Sequence, residues 1–317
     1  MGKNKIAFLF LIIDNPNFPE VWDYYFNNNY DKINIYIHPK YPENHTWKPE
    51  CIIKNLQPTK WGFIVDAYME LFKEASKNSD NIKFVTISES CLPIKPFSVF
   101  FNSVIIEKPN VSLIKTMKIS KYDYDVRLSN DIKKQFNTHL IKHYARMCLS
   151  KYHVNKLISH QDKVKIFSKM HVGDEFFLSS ITPLKYYEDF AVTHDDWEYV
   201  HKIKTQIKDM IKLLYEKQEK KNIENTKKNI ENTKKNIENT KKNIENTEKN
   251  IENTKKNIDY TKKIIELKNK FNDIAKNPKN IVKVTIEDIN NIKKTKSFFY
   301  RKLDKKSDIK NYIFNFI

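Results

Sequence analysis

Asn81-Ile82-Lys83-Phe84-Val85-Thr86-Ile87-Ser88-Glu89-Ser90-Cys91-Leu92-Pro93 is the stretch whose reading decides the fold. Asn81 to Ile87 is rich in β-branched and aromatic side chains and predicts a strand, which the polar run Ser88-Glu89-Ser90 ends. Working outward, Lys5 to Ile13 predicts a first strand and Lys32 to Ile37 a second, closed by His38-Pro39. Between them Pro19 to Phe26 predicts a helix, with proline near its start, where a missing N–H costs nothing. Trp61, Ile64, Tyr68, Leu71 and Ala75 recur three or four apart and predict a helix from Trp61 to Ala75. A short helix opens at Pro96-Phe97-Ser98. Val111 to Ile114 and Leu140 to Leu149 read as strands, Tyr152 to Ile158 and Asp174 to Ile181 as helices. Strands alternating with helices argue an α/β sandwich with a mostly parallel central sheet. Ligands bind such sheets at the carboxyl ends of the strands, where Asp14-Asn15, His38 and Ser88-Glu89-Ser90 fall.

Composition removes several function classes. The chain has 317 residues and only three glycines, Gly2, Gly62 and Gly173. Neither a dinucleotide-binding fingerprint nor a P-loop can be written with them. Cys51, Cys91 and Cys148 are an odd set without metal-type spacing, which argues against a disulfide framework or a structural zinc and fits a reducing compartment. The apolar run Ile6 to Ile13 is too short to span a membrane and no small-residue cleavage site follows it. The expectation is a soluble, cytoplasm-like protein without a transmembrane anchor. Richness in Asn, Lys and Ile fits an AT-rich genome, such as that of a virus or parasite, so part of the +18 formal charge reflects codon bias.

Lys220 to Thr261 holds six heptads, four of them Lys-Lys-Asn-Ile-Glu-Asn-Thr, with Ile at 223, 230, 237, 244, 251 and 258. These 42 residues carry +4, so +14 lies elsewhere. One Ile per heptad is a poor coiled-coil seam, which needs two apolar positions, and Asn twice per heptad lowers helix propensity. The flanks carry helical stripes: Ile203, Ile207, Ile211 and Leu214 before, Ile264, Leu267, Phe271 and Ile274 after. One helix across the repeat would run about 60 Å. Residues 203–279 therefore read as a helical or flexible insertion, outside the chemistry and a route to self-association.

The order of motifs resembles the core-2/I-branching β-1,6-N-acetylglucosaminyltransferases, glycosyltransferase family 14, in their plant and microbial branch. Lys60-Trp61-Gly62 with Val65-Asp66-Ala67 resembles that branch's "WG…VDAE", and Phe84 to Pro93 its "FVLLSESCIPL". Lys142 to Ile158 is similar to "RKGSQWFVLNRKHAELI", Val172 to Phe177 to "VDEHY", and Val192 to Trp197 to "THVDW". Lys296 to Lys302 resembles a terminal "FLFARKF". The likeness covers residues 4–202 and 280–317. It implies a GT-A-like catalytic domain of residues 1–202, completed by 280–317 and interrupted by the repeat.

The resemblance implies an inverting transferase that moves a sugar, GlcNAc or xylose, from a UDP-sugar to a hydroxyl of a glycan or glycoprotein, with no metal and no cofactor. Such a departing diphosphate needs positive charge, and Arg301 and Lys302 match the family's basic positions. Glu175 aligns with the family's general base, beside Asp174, whose like charge would raise its pKa. Ser88, Glu89 and Ser90 are implied to line the donor cleft, with Asp14, His38, Asp196 and Trp197 near donor or acceptor. The chain departs from the family where Gly-Ser-Gln-Trp is replaced by His143-Tyr144-Ala145-Arg146, so acceptor identity does not carry over. Three other readings stand beside this one: a degenerate member acting as a repeat-mediated scaffold, a nucleic-acid binder suggested by charge alone, and a metal hydrolase using His171, Asp174, His194 and Asp195.

Overall fold

The computed structural model describes residues 4–136, 139–181, 183–195, 197–236, 262–263, 265–266, 285–301, 307–309 and 313. By internal contacts the chain divides into one unit of residues 1–195 with 280–317, and a second of 196–279.

In the first unit, β1 (Lys5–Ile12), α1 (Pro19–Phe26), β2 (Ile33–Pro39), α2 (Val65–Ser76) and β3 (Asn81–Ser88) follow in chain order. They are succeeded by β4 (Leu92–Pro93), α3 (Phe97–Phe101), β5 (Ser112–Leu113), β6 (Thr116–Met117) and α4 (Asn130–Phe136). Next come β7 (Lys142–His143), β8 (Cys148–Ser150), α5 (Lys151–Ser159), α6 (Gln161–Ser168), β9 (Tyr187–Glu188) and β10 (Thr193–Asp195). A helix Ile286–Lys294, started by a capping box between Thr285 and Asp288, precedes β11 (Phe299–Arg301).

The main sheet has the order β2-β1-β3-β8-β5-β9. It is mostly parallel: β1 runs parallel to β2 and β3, and β5 to β9, while β8 is antiparallel to β3 and β5. This mixed α/β sheet fits a GT-A-like fold. The apolar run of β1 serves two cores at once because successive side chains point to opposite faces. Ile6, Phe8, Phe10 and Ile12 meet Trp22, Tyr25 and Phe26 of α1. Ala7, Leu9 and Leu11 join the other core, with Tyr68, Leu71 and Phe72 of α2 and Val154 and Leu157 of α5.

The C-terminal segment enters the first of these cores. β11 lies between β10 and β4 in a second sheet, parallel to β10 and antiparallel to β4. The fully buried Phe299 meets Phe100 at 5.1 Å, Trp22 at 5.9 Å and Phe8 at 6.4 Å between ring centroids. A third cluster joins Phe18 and Val21 to Ile292, Tyr300, Ile309 and Ile313.

Three sequence expectations are corrected. Leu140–Leu149 is not one strand but β7 and β8, because the chain changes partner between them: Tyr144 N–H still donates to Lys115 C=O, whereas Met147 C=O accepts from Thr86 N–H. The helix expected from Trp61 begins at Val65: Gly62 has φ +79°, and Lys60 N–H and C=O bond Phe63 in a tight turn. Asp174–Ile181 is no α-helix but two short 3₁₀ turns, Gly173–Glu175 and Phe177–Ile181.

The second unit contains the helix Trp197–Asn236, which includes the Ile203–Leu214 stripe and the first two heptads. Ile223 is half exposed, and an exposed Lys228–Glu224 ion pair of 2.6 Å lies on its surface. Residues 237–261, the rest of the repeat, lie outside the described residues. Among the described residues no helix is long and apolar enough to cross a membrane.

Truncating a buried aromatic in a packed cluster costs about 3–5 kcal/mol. Phe299→Ala is therefore expected to lower the urea midpoint of the whole first unit, read by loss of buried-tryptophan fluorescence, although Phe299 is separated from that unit's other strands by the repeat.

Candidate active site

Both interior glycines serve one junction. The Lys60–Phe63 turn docks onto the segment before the acidic pair: Val172 N–H donates to Gly62 C=O at 2.7 Å. A Cβ on Gly62 would fall 2.5 Å from His171 Cδ2, and one on Gly173 would fall 2.0 Å from the Phe167 carbonyl oxygen. Trp61, 66 % exposed, lies with its ring 4.9 Å from that of His171. Val172 itself has φ +55°, a left-handed conformation that a β-branched residue resists. The turn Gly173–Glu175 is thus held by a backbone bond, two close approaches and a strained residue.

Glu175 is 29 % exposed at its side chain, with Lys142 Nζ 3.5 Å from Oε2. Lys142 also pairs with the buried Asp123 at 2.8 Å, and Arg127 binds the other Asp123 oxygen at 2.9 Å. Burial would raise the Asp123 carboxyl, but the bonds from Lys142 and Ser120 outweigh it and hold it below the ordinary range. Glu175 goes the other way: burial lifts its pKa, Lys142 and Arg127 oppose, and Asp174 adds to the rise. Like-charge repulsion from Asp174 thus adds to a rise that burial leads. Asp174 is 7 % exposed, and its Oδ1 has no hydrogen-bond partner among the described residues. Burial raises its pKa as well, against the nearby positive charge of Arg146 and Arg301.

Arg301 arrives on β11. Parallel pairing with β10 sets Arg301 opposite Asp195, and Nε lies 3.2 Å from Asp195 Oδ1. Glu175, Asp174 and Arg301 are thereby brought into one electrostatic neighbourhood, which the sequence reading had linked only by resemblance. Arg146, Lys142, Tyr144 and Tyr68 belong to it too and were not singled out as site residues, and Asp195, named only in the metal-hydrolase reading, joins them. Arg146 Nη1 donates to the Tyr68 hydroxyl at 2.6 Å. The pKa of Tyr144 is raised by burial, then by Asp195 and Glu175. Asp195 sits one residue before Asp196 in the quoted block, and only strand register distinguishes it.

The remaining expected residues divide. Ser88 and Ser90 are buried, with Ser88 Oγ 3.5 Å from Ser90 Oγ and 3.2 Å from Cys91 Sγ. Cys91 adjoins Arg146 electrostatically, so this turn borders the site. Glu89 is partly buried, and its carbonyl accepts from Asn17 N–H at 2.8 Å. Asp14 is exposed at the end of β1, where its carbonyl accepts from His45. Fully buried His38 has a pKa lowered by burial, and its Nε2 accepts from Gln57 N–H at 2.8 Å, so it anchors the segment ahead of the Lys60 turn. Trp197 opens the long helix. Asp196 and Lys302 lie outside the described residues. Among the described residues no three His, Cys, Asp or Glu side chains converge as a cation site, so His171, Asp174, His194 and Asp195 do not form one.

The raised carboxyls at Asp174 and Glu175 carry a stability cost with a definite sign. Each binds its proton more tightly folded than unfolded, so stability is greatest below the ordinary values of 3.8 and 4.5 and is lost as pH rises through the raised native values. Asp174→Asn is expected to raise the urea midpoint at about pH 7 and leave it unchanged at about pH 3. An equal shift at both pH values would show that the gain is not electrostatic.

No curated protein matches the chain. The family model described as "Branch: Core-2/I-Branching enzyme" matches residues 6–201, from the first residues of β1 to beyond β10, and so includes the turn of Asp174 and Glu175. With more than half of its 317 residues inside that match, the chain belongs to the core-2/I-branching enzyme family of glycosyltransferases.

Proposed function

We propose that the protein is an inverting, metal-independent glycosyltransferase that moves GlcNAc or xylose from a UDP-sugar to a hydroxyl of a glycan or glycoprotein. The observation that carries this reading is the convergence of the Gly173–Glu175 turn and Arg301 from opposite sides of the repeat. Glu175 takes the proton of the acceptor hydroxyl as its oxygen bonds to C1 of the donor sugar. The bond from C1 to the diphosphate breaks on the opposite side, and the UDP leaving group carries away the electron pair. Arg301, with Lys302 beside it in sequence, meets that charge, as a guanidinium suits two phosphate oxygens.

Three features support Glu175 as the base. Its side chain is partly exposed, its pKa is raised toward the working range of a general base, and Lys142 holds it from one side. Two arginines in the same neighbourhood support charge compensation without a cation. The scaffold alternative is less favoured because a buried Asp174 beside a partly desolvated Glu175 costs stability and gives a scaffold nothing in return.

The test is a UDP-sugar panel, by thermal shift and turnover, with EDTA present. One UDP-sugar is expected to stabilise the wild-type chain and be turned over. Glu175→Gln should keep binding while turnover falls about 10²- to 10⁴-fold. Activity lost on EDTA and restored by a divalent cation would overturn metal independence. Removing the five heptads 227–261 is expected to leave turnover unchanged, whereas a catalytic role for the repeat predicts its loss.

A further inference from the structure

Arg146 differs from the other cations around the acidic turn in what it bonds. Arg301 has Asp195 at 3.2 Å, and Arg127 and Lys142 have Asp123 at 2.9 and 2.8 Å. Arg146 instead donates through Nη1 to a neutral phenol, Tyr68, at 2.6 Å, and its buried Nε, like those of Arg127 and Arg301, makes no hydrogen bond among the described residues. Asp174 and Asp195 act on it through space, yet Asp174 Oδ1 is also unbonded. A guanidinium taken largely out of water with a neutral partner is costly unless a further oxygen completes its shell.

The guanidinium is held in place from both ends. Thr86 at the end of β3 grips both neighbours of Arg146: Oγ1 donates to Ala145 C=O at 3.0 Å, and Met147 N–H donates to Oγ1 at 2.9 Å. Tyr68 is fully buried on α2, with the rings of Phe72 and Phe177 at 6.3 and 6.5 Å. Partly exposed, Arg146 shares its neighbourhood with Arg301, since both act on Asp174 and on Tyr68.

We propose that Arg146 is a second oxyanion-binding guanidinium of this cleft, acting beside Arg301 on a phosphate or carboxylate oxygen of the substrate. The inference rests on the glycosyltransferase reading and deepens it. Two sources offer such an oxygen, the diphosphate of the donor and an acidic sugar in the acceptor, and the planar fork of arginine fits either.

The experiment titrates UDP, UMP and uridine into the full chain as wild type, Arg146→Met and Arg146→Lys, and measures transfer to methyl glucoside and methyl glucuronide. If the oxyanion is the diphosphate, Arg146→Met binds UDP about 10- to 100-fold more weakly with uridine binding unchanged, and Lys recovers part of the loss. If UDP binding holds but a wild-type preference for the glucuronide collapses, the oxyanion belongs to the acceptor and Arg146 still binds it. Unchanged UDP affinity together with an unchanged acceptor ratio, in a variant that melts like wild type, overturns the proposal. Should Arg146→Met fail to fold, Tyr68→Phe and Arg146→Lys carry the same comparison, with weakened UDP or a lost acceptor preference supporting it and wild-type values overturning it. A wild-type chain that binds no uracil nucleotide and turns over no UDP-sugar fails the glycosyltransferase reading itself. A responsive wild type matched by its variants fails only the assignment of Arg146.

Discussion

Phe299 has to reach the aromatic cluster of Phe8, Trp22 and Phe100, and much of the architecture depends on that. The strand that carries it is parallel to β10, so the chain must leave at Asp195 and travel back to the start of the neighbouring strand. Parallel neighbours always need a crossover. Here the crossover is residues 196–298, which include the helices Trp197–Asn236 and Ile286–Lys294.

The same strand links packing to chemistry. Phe299 faces the core, and two residues later Arg301 lies opposite Asp195, in reach of Asp174. From the other side Gly62 and Gly173 let two backbones approach closely enough to hold the turn of Asp174 and Glu175. The acidic residues are kept partly desolvated, which raises their pKa values, and the cations around them limit the rise. Lys142 illustrates the economy of this arrangement. One ammonium is shared between Asp123, held ionised, and Glu175, left closer to its protonated form.

Parts of this were legible in the residues. The apolar runs of β1 and β3, the periodicity of α2, and proline at the start of α1 are local signals, because burial on both faces, helical spacing and a missing N–H act within a few residues. The rarity of glycine was also informative, since both interior copies lie where a Cβ would collide. Local signals failed where long-range packing overrides them. Asp174 to Ile181 has helix-compatible spacing, but it forms two 3₁₀ turns, the first directly after the junction of Val172 with Gly62. The Trp61 helix starts late because Gly62 adopts a left-handed conformation against His171.

The sequence by itself determined the α/β class, the order of the main elements, the place of the repeat and the family likeness. The family likeness, rather than any spacing of its own, singled out Glu175 and Arg301 as candidates. Only the tertiary structure decided which charges meet. His38 points to the same strand ends as Ser88 in sequence, yet it is buried and spent on Gln57, while Arg146, unremarked by spacing, stands beside Asp174. The physical reason is that strand register and the fall-off of electrostatic interaction with distance join residues far apart in the chain. Asp195 and Arg301 become neighbours through the parallel ladder of β10 and β11.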